Sequence, residues 1–278
     1  MGRRPRLTAV ALGLARSCHP EPVIAVSLLT AALAWSAGRG WGSLLVLAAI
    51  MTGQLGVGWS NDYLDREADR RRRRTDKPLA TGGVAARLVG AAALAAFAAT
   101  VPLSLALGPL AAAAHAAALA MGVAYNLGLK DRPWSVVCYA AGFGLLPVIV
   151  SLSLDPPRPA HLWTVCAAAL IGVAGHCTQV LRDIPADRAQ GSRGLPQLLG
   201  RRWATVLAGG ALVGALLAVA LGRGMLTGPE LGILALALVG TGAIGLSAWW
   251  NRPTLAFRLT MGVAALATVS LLAGNLSR

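Results

Sequence analysis

The chain has 278 residues, of which 56% are hydrophobic and 13% are charged, and its mean hydropathy is +0.63. These values exclude an ordinary soluble domain and indicate a membrane protein. The net charge of +14 does not indicate a nucleic-acid partner, because the basic residues lie mainly between apolar segments, where they orient membrane spans and meet anionic lipid. The four cysteines have no CxxC spacing and give no sign of a zinc site or a disulfide framework.

In chain order, residues 1–17 combine a basic start with a short apolar run, which predicts an amphipathic cytosolic lead-in. Apolar segments of about 20 residues follow, a length that suits membrane-spanning helices, and the period-2 alternation typical of membrane strands is not visible. Charges and turn residues separate them. The nine predicted spans are 22–37, 42–60, 84–107, 109–128, 134–154, 160–181, 203–222, 229–249 and 255–274.

The distribution of basic residues predicts how these spans are oriented. With nine spans and a cytosolic N-terminus, only Arg39, Arg158, Arg223 and Arg278 fall outside, while the other 21 of the 25 basic residues fall inside or at inside-facing ends. We therefore expect an all-α polytopic bundle of nine transmembrane helices, with the N-terminus cytoplasmic and the C-terminus outside. The Ala- and Arg-rich composition indicates a bacterial cell membrane.

Two inside loops, about 61–83 and about 182–202, are longer than the others, and each begins with acidic residues. One such loop every four spans indicates two related halves. We expect residues 1–278 to form a single domain in which both loops make a polar cap over a site that faces the cytoplasm.

The first acidic segment, N-D-Y-L-D-R-E-A-D, lies at the end of the second span and holds four of only 11 acidic residues in the chain. If the helix continues through it, Asn61, Asp62, Asp65 and Asp69 share one face, where the like charges repel. A hard divalent cation such as Mg²⁺, which prefers carboxylate, water and phosphate oxygens, is the natural counter-charge. The segment therefore predicts half of a metal site.

The second acidic segment, Q-V-L-R-D-I-P-A-D-R, ends the sixth span and spaces Gln179, Asp183 and Asp187 by four residues. Pro185 lacks an N–H and biases the preceding residue away from a helix, so Asp183 and Asp187 either share a face or flank a kink. Two such half-sites can hold two cations around one diphosphate.

Both segments resemble motifs of the UbiA superfamily of intramembrane prenyltransferases. The motif NDxxDxxxD is matched by Asn61, Asp62, Asp65 and Asp69, and the motif DxxxD by Asp183 and Asp187. Similar features are segment 74–79 followed by Gly82, Arg182 and Arg193 around the second motif, and Tyr125 and Lys130 after the fourth span. The nine predicted spans agree with this family as well.

The resemblance implies a role for each matching residue. The implied Mg²⁺ ligands are Asn61, Asp65, Asp69, Asp183 and Asp187. The implied contacts to the diphosphate are Asn61, Arg74, Lys77, Lys130, Arg182 and Arg193. The implied catalytic residues are Asp62, which assists proton loss from the acceptor, Tyr125, whose ring stabilises a cation, and Lys130, which neutralises the leaving group.

The function expected from this resemblance is Mg²⁺-dependent transfer of an isoprenyl group from its diphosphate to an aromatic or other lipophilic acceptor. A membrane-bound terpene cyclase would use the same aspartates without an acceptor, and the motifs do not separate the two. A cation-coupled transporter is a more remote alternative, because its acidic sites usually lie near the bilayer midplane.

Some polar residues have plainer interpretations. Residues Arg70 to Arg73 are interpreted as a patch that contacts anionic lipid and orients the span, outside the site. His115 and His176 lie within spans and are interpreted more readily as hydrogen-bonded packing residues than as contacts to the substrate.

Overall fold

The computed structural model describes residues 7–224 and 227–276, which form twelve α-helices and contain no strand. The prediction of an all-α fold is therefore confirmed for this part of the chain. The helices are α1 (Leu7–Ser17), α2 (Pro20–Ala34), α3 (Ser43–Arg71), α4 (Pro78–Thr81), α5 (Ala86–Leu105), α6 (Pro109–Asn126), α7 (Ser135–Leu152), α8 (Leu162–Gln179), α9 (Ile184–Ala189), α10 (Leu195–Arg223), α11 (Gly228–Trp249) and α12 (Pro253–Leu276).

Each predicted span overlaps one of these helices, and the structure identifies six candidate membrane spans within the described ranges. The first candidate, Pro20–Arg71, joins α2 and α3 through the short turns between them. Only 22% to 39% of the residues in the most apolar part of each candidate are buried inside the protein, so most apolar side chains face outward, as a bilayer requires. The count of nine spans and the orientation of the termini remain predictions, and residues 1–6 and 277–278 lie outside the described part.

Both long loops contain more helix than the sequence indicated. Helix α3 runs 29 residues, through the whole first acidic segment, before it ends at Arg71. In the second loop, α9 follows the acidic residues and α10 begins at Leu195, eight residues before the predicted start of the seventh span. A break at Gly200, whose φ is 80°, separates the first turn of α10 from its apolar part, which explains why hydropathy alone placed the start later.

Six helices form a closed ring, in which α2 packs on α3, α3 on α6, α6 on α7, α7 on α8, α8 on α12, and α12 again on α2. Helices α5, α10 and α11 pack on the outside of this ring. The hydrophobic core is divided accordingly, with Ile50 and Ile149 central to one cluster and Leu212 and Ile244 central to another. A ring of this kind leaves space at its centre, and the acidic segments lie at one end of it.

Close approach of α7 and α8 depends on Gly172, since a Cβ at this position would lie 2.5 Å from the backbone carbonyl oxygen of Tyr139. We expect Gly172→Ala to lower the free energy of unfolding by about 1–3 kcal/mol, because the backbones must separate. Thermal unfolding of the detergent-purified protein measures this change. Gly175→Ala, on the same helix with nothing within 4 Å of the added Cβ, is the matched control and should not lower Tm. Equal melting temperatures for both variants would contradict this packing.

Candidate active site

The first acidic segment is an uninterrupted part of α3, as its four-residue spacing predicted. Asp62 and Asp69 are buried, with 1% and 7% of their surface exposed, whereas Asp65 and Asn61 are partly exposed. Glu67 lies on the opposite, exposed side of the helix, where Arg70 donates to it at 3.1 Å. The helix therefore directs the motif residues toward the interior of the protein and leaves Glu67 in solvent.

The second acidic segment is interrupted, as Pro185 indicated. Helix α8 ends at Gln179, and Pro185 lies in the first turn of α9. A backbone N–H at this position has no intrahelical partner, so a proline here costs no hydrogen bond. The backbone carbonyl of Asp183 accepts a hydrogen bond from the N–H of Asp187 at 2.8 Å. Asp183 and Asp187 thus lie at the start of the short helix and one turn into it.

Basic side chains connect the two acidic segments. Lys77 binds Asp62 at 2.5 Å, and Lys130 forms an ion pair with Asp65. From the segment after α3, Arg74 reaches Asp183 at 3.2 Å and Arg72 reaches Asp187 at 2.9 Å. The structure therefore brings Asp62, Asp65, Asp183 and Asp187, together with their basic partners, to the same end of the ring.

Arg72 belongs to this site, although the sequence interpretation placed it in a lipid-facing arginine patch. Its guanidinium contacts Asp187, and its Nη2 donates to Gln190 at 2.8 Å. Residues 70, 71 and 73 are exposed, whereas Arg72 is partly buried. The signal that could have identified it is helical register, because Arg72 lies three residues after Asp69 and seven after Asp65 on the same face.

Asp76 was also not identified from the sequence, and it holds two of the predicted phosphate-binding residues. Arg74 donates to both carboxylate oxygens of Asp76 at 2.8 Å, and Arg182 donates to it at 3.2 Å. Hydrogen bonds from Arg74 keep the pKa of Asp76 well below its usual range, so this carboxylate stays charged and fixes the guanidinium plane. Arg193, by contrast, has an exposed side chain, and its backbone N–H donates to the carbonyl of Asp131 at 3.1 Å.

The residues present fit Mg²⁺. Among the residues that the structure describes, no three Asp, Glu, His or Cys side chains form a cage that would chelate a metal unaided. Mg²⁺ does not need one, since it binds through one or two carboxylates and completes its shell with water and substrate phosphate. Burial raises the pKa of Asp187, against the opposing effects of Gln197 and Arg72, and a carboxylate desolvated in this way gains from a nearby cation.

A cavity extends from the acidic end into the centre of the ring. It is lined by residues of α2, α3, α6, α7, α8 and α12, with Asn61, Tyr125 and Gln179 at its polar mouth. Its deeper wall is apolar and includes Leu29, Ile50 and Leu146. Asn61 and Ile50 lie eleven positions apart on α3, which corresponds to about 16 Å along the helix. The cavity suits an extended hydrocarbon chain whose charged end stays at the mouth.

Aromatic rings line the upper part of the cavity. Tyr125 and Tyr139 meet edge to face with centroids 5.1 Å apart, and Tyr139 stacks on His176 at 4.6 Å. The Tyr139 hydroxyl donates to Gln179 at 2.9 Å, which makes Tyr139 a further residue that the motifs did not identify. His176 is fully buried, with its Nε2 at 2.9 Å from the hydroxyl of Ser135, as expected of a packing histidine.

The most unexpected placement concerns Asp62 and His19. Asp62, interpreted from the sequence as a catalytic carboxylate, is buried and is not part of the cavity wall. His19 is part of that wall, and its Nε2 lies 3.2 Å from the Asp62 carboxylate and 3.0 Å from Nζ of Lys77. No sequence motif pointed to His19, because it approaches Asp62 only through the packing of α1 and α2 on α3.

An apolar cavity inside a helical ring, with carboxylates and basic side chains at its mouth, defines an integral membrane protein that accommodates an amphiphile with a polyanionic head. The model of the UbiA prenyltransferase family matches residues 22–261. The chain therefore belongs to the UbiA prenyltransferase family and is a prenyltransferase.

Individual relatives agree with this assignment. The chain is 31% identical over 211 residues to a digeranylgeranylglyceryl phosphate synthase of Natronomonas pharaonis. The matched region covers 74% of this chain and 75% of that protein. Its fold is similar to the apo structure of a UbiA homologue from Aeropyrum pernix K1, with a TM-score of 0.75, 19% identity, and coverage of 91% and 98% of the two chains. A UbiA homologue from Archaeoglobus fulgidus, bound to GPP and Mg²⁺, has a similar fold, with a TM-score of 0.67 and 17% identity. The match covers 96% of this chain and 100% of the homologue.

Replacement of Arg72 tests whether the site extends into the arginine run. Arg72→Ala removes charge-assisted hydrogen bonds to Asp187 and Gln190, each worth about 1.5–3 kcal/mol. We expect prenyltransferase activity, measured as kcat/KM for diphosphate release, to fall at least about tenfold. Arg71→Ala removes an exposed neighbour of the same charge and should change kcat/KM less than about twofold. If both variants retain the wild-type rate, Arg72 does not belong to the site.

Proposed function

We propose that this protein is a Mg²⁺-dependent prenyltransferase that ionises an isoprenyl diphosphate at the mouth of the cavity and transfers the prenyl group to a lipophilic acceptor. The observation that carries the proposal is the meeting of two aspartate pairs and several basic side chains at the open end of an apolar cavity. An amphiphile with a diphosphate head and a hydrocarbon tail matches both parts of this arrangement.

The metal would be held by the two acidic segments. We assign Asn61, Asp65 and Asp69 on α3, and Asp183 and Asp187 at α9, as the residues that hold Mg²⁺. When bound, Mg²⁺ supplies Lewis-acid stabilisation of the charge that develops on the leaving diphosphate. The Archaeoglobus fulgidus homologue bound to GPP and Mg²⁺ supports the choice of this metal.

The basic residues of the site bind the diphosphate, and several of them are already positioned for it. We assign this role to Arg74, Lys77, Lys130, Arg182 and Arg193, with Asn61, and we add Arg72. Asp76 fixes Arg74, and ion pairs hold Lys130 and Arg72 beside the acidic motifs. Because these donors are oriented before the substrate arrives, little reorganisation is needed as charge builds on the leaving oxygens.

The cavity protects and directs the prenyl cation. Its apolar wall excludes water from the allylic carbon after the C–O bond breaks. The rings of Tyr125 and Tyr139, which meet edge to face near the mouth, stabilise positive charge through their ring electrons. Lys130, beside Asp65, is placed to neutralise the departing diphosphate.

We propose that the acceptor is the hydroxyl group of a prenylated glyceryl phosphate, in preference to an aromatic ring. The support is the identity of 31% to a digeranylgeranylglyceryl phosphate synthase, whose product carries geranylgeranyl groups on glyceryl phosphate. Such a molecule is lipophilic, so it belongs to the broader acceptor class that the motifs indicated. A terpene cyclase would need no acceptor and remains the alternative that product analysis decides.

We further propose that the site faces the cytoplasm of a bacterial cell and that residues 61–83 and 182–202 cap it within a single domain. The bias of basic residues toward the predicted inside loops supports this orientation. The position of the aspartates at one end of the ring, away from its middle, gives no support to a transporter.

Substitutions in both acidic motifs, with a matched control on α3, test the roles of these motifs. We expect Asp65→Asn and Asp183→Asn each to abolish measurable diphosphate release, because each removes a carboxylate assigned to the metal. Glu67→Gln changes an exposed carboxylate on the other side of α3 and should leave the rate within about twofold of wild type. Membrane expression and Tm serve as checks on folding. Near-normal turnover in both aspartate variants would exclude the two-segment mechanism.

Metal removal and product analysis test the reaction class. With geranyl, farnesyl or geranylgeranyl diphosphate as donor, we expect EDTA to stop diphosphate release and excess Mg²⁺ to restore it. With geranylgeranylglyceryl phosphate present, mass spectrometry should detect the prenylated ether. Cyclic hydrocarbons formed from the donor alone would instead identify a cyclase.

A further inference from the structure

Among the described side chains at the cavity mouth that are not assigned to the metal, one is suited to remove a proton from an acceptor. Among the described residues that line the mouth, Asn61, Gln179 and Tyr125 offer amide or phenol groups, which are poor proton acceptors at neutral pH. His19 offers an imidazole. His115 also lines the cavity, but it lies deep on α6 and its Nδ1 is engaged by Ser104 at 2.7 Å.

The backbone holds His19 in place through an unusual corner. His19 has φ 57°, a left-handed conformation that is uncommon for residues other than glycine, and Pro20 follows it as the first residue of α2. The preceding carbonyl, that of Cys18, packs so closely on α3 that a Cβ at Gly58 would lie 2.3 Å from it. Trp59 ties α1 to the same place by donating to the carbonyl of Leu14 at 2.9 Å.

The partners of the imidazole fix how it is oriented. Its Nε2 faces the buried Asp62 carboxylate at 3.2 Å, and Lys77 contacts both groups. No hydrogen bond to Nδ1 of His19 is made by any residue in the described ranges. Lys77 donates to the same carboxylate at 2.5 Å, and when Nε2–H also donates to Asp62, the neutral ring carries its lone pair on Nδ1.

We propose that His19 is the acid–base residue that accepts the proton of the acceptor, and that Asp62 is the positioning residue that orients it. This inference rests on the proposed prenyl transfer. In the step, the C1–O bond of the donor breaks and its electron pair leaves with the diphosphate. The acceptor oxygen, or a ring carbon of an aromatic acceptor, bonds to C1, and the proton it loses passes to Nδ1 of His19.

Asp62 then acts through His19. A buried carboxylate beside the far nitrogen orients the imidazole, as in other histidine–carboxylate pairs. Lys77, at 2.5 Å from the same carboxylate, offsets the cost of burying a charge that is only 1% exposed.

Because residue 19 has a left-handed backbone conformation, the imidazole can be removed by substitution without straining the backbone. Glycine adopts φ 57° without strain, so His19→Gly preserves the corner, and asparagine also tolerates this conformation while keeping a polar side chain. Geranylgeranyl diphosphate and geranylgeranylglyceryl phosphate are the first donor and acceptor probes. The measurements are kcat for the prenylated product, the Kd of the unreactive S-thiolo analogue of the donor, and kcat again with added imidazole.

We expect His19→Gly and His19→Asn to lower kcat for transfer by about 10²–10⁴, with the Kd of the donor analogue within about threefold of wild type. Free imidazole should restore part of the activity of His19→Gly. His161→Ala, which changes an exposed histidine at the start of α8, is the control and should match wild type.

The possible failures are distinguishable. A wild-type protein that releases no diphosphate from any donor would overturn the proposed function and this inference with it. An active wild type with equal transfer by His19→Gly would overturn the inference alone. Loss of donor binding in His19→Gly, or a loss that His19→Asn restores and imidazole does not, would show that His19 is structural and would also overturn it.

Discussion

Compensation of charge at the edge of an apolar bundle is the constraint on which this structure depends. Carboxylates at the end of membrane helices lose solvation, and each unpaired buried charge costs several kcal/mol. Four of the motif aspartates are therefore paired with lysine or arginine from a different segment of the chain. These pairs do more than stabilise the fold, because they determine which loops meet and so assemble the site from α3, the segment after it, and α9.

The ring of six helices provides the second part of the site. Small residues let neighbouring helices approach closely, as at Gly172 and Gly58, where a Cβ would collide with the backbone of the adjacent segment. The space that remains at the centre is lined by aliphatic and aromatic side chains. Charge at the mouth and hydrocarbon below it match the two ends of one amphiphile, as the proposed prenyl transfer requires.

Sequence reasoning reached the features that depend on local periodicity. Helical register placed Asn61, Asp62, Asp65 and Asp69 on one face of α3, and Pro185 marked the start of a separate helix at the second motif. The all-helical fold and the family followed from the same patterns. Residues that join through tertiary contacts were missed, because Arg72 looks like its exposed neighbours in composition and is distinguished only by its position relative to Asp187.

The two nearby aspartates of the first motif show how environment divides roles between identical residues. Asp65 is partly exposed, with 28% of its side chain accessible, and pairs with Lys130, so its oxygens remain reachable at the mouth. Asp62, three residues earlier, is enclosed by His19 and Lys77, and its Oδ2 is buried with no hydrogen-bond partner among the described residues. A carboxylate that substrate cannot reach acts only through its neighbours. The motif therefore contains both an accessible carboxylate, which we propose binds the metal, and a buried carboxylate that contacts a histidine 43 residues away in sequence.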